Sequence, residues 1–276
     1  MNLSLCINIE VLYGILLHLD FTCLRFPDLK DLHELPHPVT ATGTIIVPNT
    51  RMAELNVQKH VKYTKLCLNL LPSPFTSNDS NRLSLGFFLI NTLDILDQLQ
   101  TISQRDREGW IDWIYSCQVE SGGFRGSTGT KTPEPSIYDT AHLPAAYFAI
   151  ASLLVLGDDL RRVNRTALLS TLKKLQNEDG SFSPVLIDET RFGEVDVRHL
   201  YCAIAVRHML SPIAPEEDIN VEATINYIRR CKVYDGGYSQ SPGLESHGML
   251  SILLLYLRSR FNLLLRCFPL ITRKVD

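Results

Sequence analysis

Three short turns constrain this chain more than any other feature. Gly122-Gly123-Phe124, Gly180-Ser181-Phe182 and Gly236-Gly237-Tyr238 each close an amphipathic stretch, and their aromatic residues are separated by 58 and 56 residues. A period of that length marks a stacked repeat whose unit cannot bury its apolar face alone. The unit reads as an outer amphipathic helix, a glycine turn, and an inner helix that is apolar nearly all round. "REGWIDWIYSCQVESGGFRG" leads to "YDTAHLPAAYFAIASLLVLG", "RTALLSTLKKLQNEDGSFSP" to "VDVRHLYCAIAVRHML", and "VEATINYIRRCKVYDGGYSQ" to "LESHG". The glycine suits a helix C-terminus entering the left-handed region, with the aromatic folded back on the preceding turn. Periodicity alone fits an ordinary α-solenoid equally well, with turns that only help hairpins stack.

Ahead of these repeats, "NVQKHVKYTKLCLNLL" places Val57, Val61, Leu66 and Leu70 near one face of a helix that "PSP" at 72–74 ends. "RLSLGFFLINTLDILDQL" is apolar nearly all round and reads as a helix buried on most sides. Residues 1–51, with the Pro- and Thr-rich "LPHPVTATGTIIVPNT", read as an extension, and the folded domain is expected over 52–248. The apolar N-terminus lacks a basic region and is interrupted by Glu10 and His18, which argues against a signal peptide or anchor.

Composition narrows the function classes. Hydrophobic residues at 45% and charged residues at 21% are ordinary for a soluble globular protein. A net charge of −3 weighs against a nucleic-acid binder, which needs a basic stripe. Seven scattered Cys without a C-x-x-C pair read as reduced thiols of a cytoplasmic protein, and the glycosylation-type sequons at Asn78 and Asn164 as chance matches.

The starts of the inner helices carry the chemistry: Asp139 to His142, Asp196-Val197-Arg198-His199, and Glu245-Ser246-His247. An acidic residue in a first helical turn suits the helix dipole and needs no function. The basic partners would all lie at one rim of a ring of hairpins. Arg198 has Tyr201 and Cys202 at i+3 and i+4, on one face. Arg, His and Tyr donors around an apolar cavity suit a ligand with an apolar tail and an anionic head.

With these residues in place, residues from about 58 to 248 resemble the CaaX protein prenyltransferase β-subunit family, in its geranylgeranyltransferase type I branch. The segments that carry the likeness are "KHVKYTKLCLNLLP", "NRLSLGFFLINTLDILD", "YDTAHLPAAYFAIASLLVLGDDLRRVN", "LKKLQNEDGSF", "YIRRCKVYDGGY" and "GLESHG", in one order. The resemblance implies an all-α fold, an α–α toroid of six hairpins, of which this chain writes about three and a half. It implies transfer of a geranylgeranyl group from geranylgeranyl diphosphate to the Cys of C-terminal CaaX motifs, as on small GTPases, by a zinc enzyme whose β subunit pairs with an α subunit. His247 falls on the family's diphosphate-contacting His, and Arg198 on its Arg beside the isoprenoid. Tyr147 matches a pocket aromatic, with Tyr201, Cys202 and Gly248 beside the same pocket. Ser84 stands where related farnesyltransferases carry a bulky Trp, so it implies room for a fourth isoprene unit. That room is worth roughly 100 Å² of apolar contact at ~25 cal/mol per Å².

The chain also departs from that pattern. The family's zinc ligands are an Asp and a Cys in a D-x-C motif and a later His, all beyond the segment matched by "ESHG". Residues 249–276 contain no D-x-C and no His, so no metal ligand of that set is found in this chain. Arg258, Arg260 and Arg266 match nothing in the diphosphate site. The Leu-rich run "MLSILLLYL" spans about nine residues where ~20 would cross a membrane, so no transmembrane segment is expected. Residues 249–276 therefore read as an aberrant tail. The alternatives are a non-catalytic toroid fragment that binds the α subunit or isoprenoid and, more weakly, a terpene-cyclase-like toroid, for which no Asp-rich initiating motif is present. An incomplete ring is expected to expose apolar faces on the inner helices of its first and fourth hairpins.

Overall fold

The computed structural model describes residues 56–134, 136, 139–210 and 218–248. The expected extension over 1–51 and the Leu-rich tail over 249–276 lie outside the described residues. Seven α-helices are present among those described: α1 (Val57–Asn69), α2 (Arg82–Ile95), α3 (Gln104–Ser116), α4 (Leu143–Val155), α5 (Arg165–Leu175), α6 (Val197–Leu210) and α7 (Val221–Arg230). They alternate between two layers. The inner helices α2, α4 and α6 pack side by side in that order, while α1, α3 and α5 lie outside against α2, α4 and α6.

Composition explains the layers. α4 (LPAAYFAIASLLV) buries residues on every side, from Leu143 through Leu153, and α6 buries Val197, Leu200 to Val206 and Leu210. The outer α5 and α7 bury only single stripes, Leu168, Leu169, Leu172 and Leu175 in one, Thr224, Ile225, Tyr227 and Ile228 in the other. Helix starts are capped by their own side chains: Asn56, Ser103, Asn164 and Asn220 each accept from the amide three residues on. The Asn164 side chain of the sequon is therefore already engaged as a helix cap.

The glycine turns repeat bond for bond. After each outer helix the amide of Gly122, Gly180 or Gly236 donates to the carbonyl of Val119, Asn177 or Val233 at 3.0–3.1 Å. The amide following each aromatic, on Arg125, Ser183 and Ser239, returns to the carbonyl of Cys117, Leu175 or Cys231 at 2.9–3.0 Å. Phe124, Phe182 and Tyr238 are buried beneath these turns. Two residues beyond each aromatic, a carbonyl accepts from the first turn of an inner helix in the neighbouring repeat. Leu83 donates to Gly126 at 2.8 Å, Leu143 to Pro184 at 2.8 Å, and Val197 to Gln240 at 3.1 Å. Each inner helix thus has a first-turn amide satisfied by the turn of the next hairpin.

The outer layer is locked in a matching way. Gln176 donates to the Asn220 carbonyl and the Thr224 hydroxyl, each at 2.9 Å, and accepts from the Asn220 amide at 2.7 Å. In the preceding repeat Gln118 makes the equivalent contact, accepting from the Asn164 amide at 2.7 Å. Gly180, at φ +91°, sits so close to α7 that an added Cβ would lie 2.0 Å from the Ala223 carbonyl oxygen.

Three details differ from the sequence reading. The buried stripe of α1 is Val61, Thr64 and Cys67, whereas Leu66 and Leu70 are 54% and 67% exposed. The helix is rotated toward the smaller residues because these allow close approach to α2. Secondly, among the described residues of the first hairpin the exposed large apolar side chains are Tyr63 and Leu66 on α1 and Leu70 just after it, with only Ile95 on the inner α2; the fourth inner helix lies outside the described residues. Thirdly, a two-stranded antiparallel hairpin, β1 (Val185–Ile187) and β2 (Thr190–Phe192), interrupts the helical pattern before α6. Its turn residues Asp188 and Glu189 both have positive φ, 46° and 61°, as a two-residue hairpin requires.

Gly180→Ala is expected to cost roughly 2 kcal/mol or more, from a positive φ together with a backbone clash. Gly86→Ala in α2, where an added Cβ meets nothing within 4 Å, should gain about 1 kcal/mol of helix propensity. Urea midpoints measure both, and equal midpoints for the two variants would contradict the packing described.

Candidate functional site

Arg198 lies in the first turn of α6 and is built into a polar clamp. Asp196, fully buried just before the helix, accepts from the Arg198 amide at 2.7 Å and from its Nε at 2.9 Å. The Gln240 side chain donates to the same carboxylate at 3.2 Å. Burial works against the Asp196 charge, but the bonds and charge of Arg198, together with His199, outweigh it and hold the carboxyl below the usual aspartate value. The bonds to Asp196 in turn raise the pKa of Arg198, which stays cationic although half-buried. The Arg198 side chain remains 29% exposed, and the Glu194 carboxylate lies 3.9 Å from its Nη2.

The same turn leads to His247. Gln240 caps α6 through its carbonyl, Ser241 donates to the Val195 carbonyl at 3.1 Å, and the His247 amide donates to the Tyr238 carbonyl at 2.9 Å. Ser239 and Ser246 form a bridge that folds the strip 239–246 back on itself. His247 and Gly248 are exposed at its end. The structure therefore ties the segments carrying Arg198 and His247 to one end of the inner layer.

The apolar candidates form a separate group. Tyr147 of α4 and Tyr201 of α6 meet edge to face at 5.5 Å, and Tyr147 also lies 5.7 Å from Phe87 of α2. Cys202 is buried beside Tyr201 on α6. Ser84 is half-buried near the start of α2, one turn before Phe87 and Phe88, and its hydroxyl donates to the Asn81 carbonyl at 2.7 Å. Ser84 takes no part in the ring cluster; α2 connects it to that cluster through Phe87.

Two members of the site escaped the sequence reading. Asp196 was explicable by the helix dipole alone, and Gln240 carried no motif. Their offset was the available signal, because Gln240 stands two residues after Tyr238, where the repeat places its helix-capping carbonyl.

The fold and rim together define a class: an arc of helical hairpins with an apolar inner layer and the Arg198 and His247 segments at one end. The family model for the prenyltransferase alpha-alpha toroid domain matches residues 55–253. The chain belongs to that family. It is 34% identical over 218 residues to a protein of Dictyostelium discoideum named geranylgeranyl transferase type-1 subunit beta, covering 70% of this chain and 60% of that one. It is 32% identical over 204 residues to a protein farnesyltransferase subunit beta of Pyricularia oryzae, covering 69% of this chain and 37% of the relative. Among solved structures, Candida albicans protein geranylgeranyltransferase-I complexed with GGPP superposes with a TM-score of 0.65 at 25% identity, covering 74% of this chain and 59% of that chain. The chain thus spans 60% or less of the length of these relatives.

Zinc, implied by the resemblance, needs three or more His, Cys, Asp or Glu side chains in one place. Among the described residues no such group exists, and the residues present do not fit a zinc centre. No helix of the described residues is long and apolar enough to cross a membrane.

His199 adds a pH response. Burial lowers its pKa, against a smaller opposing pull from Asp196, so the fold favours the neutral ring. A depressed histidine pKa gives stability that is complete above the unfolded value of about 6.5 and is lost as pH falls toward the folded value. His142 and His208 are shifted the same way by burial. Stability should therefore decline as pH drops from about 7 to 5, and His199→Gln should flatten that slope in chemical-denaturation series. An unchanged slope would remove His199 from this account.

Proposed function

We propose that this chain is a β subunit of the geranylgeranyltransferase type I class, acting with a prenyltransferase α subunit. In that reading geranylgeranyl diphosphate lies with its isoprenoid along the inner layer and its diphosphate at the rim. The acceptor is a cysteine of a C-terminal CaaX motif, as on small GTPases of the cytoplasm. The thiol gives its proton to solvent, a bond forms between the resulting thiolate sulfur and C1 of the lipid, the C1–O bond breaks, and diphosphate departs with the electron pair. Arg198 and His247 would stabilise the charge that develops on the leaving oxygens. Asp196 and Gln240 would act through Arg198, fixing where its guanidinium points.

The observation that carries the reading is the linkage of the Arg198 and His247 segments by the Val197–Gln240 hydrogen bond, beside an inner layer of apolar and aromatic residues. The names of the relatives support it, since they include geranylgeranyl and farnesyl β subunits. For lipid choice, the support is Ser84. A small side chain there leaves space that a Trp would fill, and a longer isoprenoid gains about 2.5 kcal/mol from roughly 100 Å² of added contact. A second reading is isoprenoid or α-subunit binding without transfer, which the lack of a fitting metal group among the described residues favours.

Co-expression with a prenyltransferase α subunit, then equilibrium binding of geranylgeranyl diphosphate and a transfer assay on a Leu-ending CaaX peptide, separates the two. Binding with transfer supports the first reading and binding alone the second; the absence of both refutes the first, and failure also to co-purify with the α subunit refutes the second. Arg198→Ala should weaken geranylgeranyl diphosphate binding by about tenfold to a hundredfold, the range for loss of a charged hydrogen-bond donor. Ser84→Trp should shift preference toward farnesyl diphosphate by about tenfold or more. An unshifted preference would remove Ser84 as the selector.

A further inference from the structure

We infer that the outward face of α1 is a docking surface for an anionic lipid bilayer, on which the chain lies without spanning it. Seven large apolar side chains are exposed among the described residues, and three of them, Tyr63, Leu66 and Leu70, crowd one end of this helix. Their spacing of three and four keeps them on one side, with Leu70 just past the last turn. Val61, Thr64 and Cys67 occupy the other side and are buried.

Charge decides what this face fits. Lys59 and Lys62 are exposed on the same side, within about 100° of arc that also holds Tyr63 and Leu66. α1 contains no Asp or Glu, and neither lysine forms an ion pair among the described residues. Lys65, by contrast, is engaged by Thr101 at 3.0 Å. The cationic strip stands on a chain whose net charge is −3. The same face of a second copy would bring the same lysines and no acid to meet them. Residues 249–276 carry Arg258, Arg260, Arg266, Arg273 and Lys274 against Asp276 alone, so they are repelled too. Anionic headgroups supply the opposite charge. Lysine stems lie along apolar neighbours while their ammonium ends reach the headgroups, and Tyr63 adds a ring with a polar tip. An acidic protein would also answer the lysines, but a fluid surface takes a mixed strip of lysine, tyrosine and leucine without a matching cleft.

Vesicle flotation of the full chain tests this. The chain should float saturably with vesicles of phosphatidylcholine and phosphatidylserine, and bind phosphatidylcholine alone about tenfold more weakly, since each lysine contributes roughly fivefold at an anionic surface. Lys59→Glu with Lys62→Glu should weaken anionic-vesicle binding by at least about tenfold. Leu66→Ser with Leu70→Ser should do likewise through lost apolar contact, with the thermal transition kept because both side chains are exposed. Arg161→Glu, exposed before α5, should change nothing. Equal binding to neutral vesicles, or unchanged binding in either double variant, would overturn the inference. So would failure to float, whether the chain is instead captured by polyglutamate, which would give the face to an acidic protein, or forms a dimer that the leucine variant dissolves.

Discussion

The hydrogen bond from the first turn of each inner helix to the next hairpin's turn is the contact on which the rest of this architecture depends. An inner helix buried on all sides cannot leave its first amides to water, and an unpaired buried amide costs about 1–3 kcal/mol. The carbonyls of Gly126, Pro184 and Gln240 remove that cost one hairpin at a time. The carbonyl is correctly placed only if the glycine turn before it closes as it does in all three repeats. Turn, helix start and neighbour are thus fixed together.

That coupling also positions chemistry. Because Gln240 caps α6, the segment running on to His247 is held against the start of the helix that carries Arg198. A structural bond repeated for stacking becomes, at its third occurrence, the frame that joins the Arg198 and His247 segments. Asp196 shows the same economy: it is engaged by the α6 first-turn amide of Arg198 and by the guanidinium at once.

Much of this was legible in the residues. The period of the Gly-aromatic turns and the contrast between all-apolar and one-faced helices predicted the layers, because helix burial is written in the side chains of each helix. Candidate rim residues could be proposed because rim positions follow the helix starts. What resisted was contact across the chain. The Gln176 bridge to Asn220 and the Gln240 bridge to Asp196 each span 44 residues and carry no local signature. The rotation of α1 toward Val61, Thr64 and Cys67 was hidden for another reason: close approach to α2 outweighed the larger area of Leu66 and Leu70.

The sequence by itself determined the repeat, the alternation of outer and inner helices, and the residue types at the rim, since each depends on spacing within about 60 residues. Only the tertiary structure decided which side of α1 is buried and that Asp196 and Gln240 clamp Arg198. These depend on how separate hairpins meet. The distance between surfaces far apart in the chain is set by packing, which no single segment encodes.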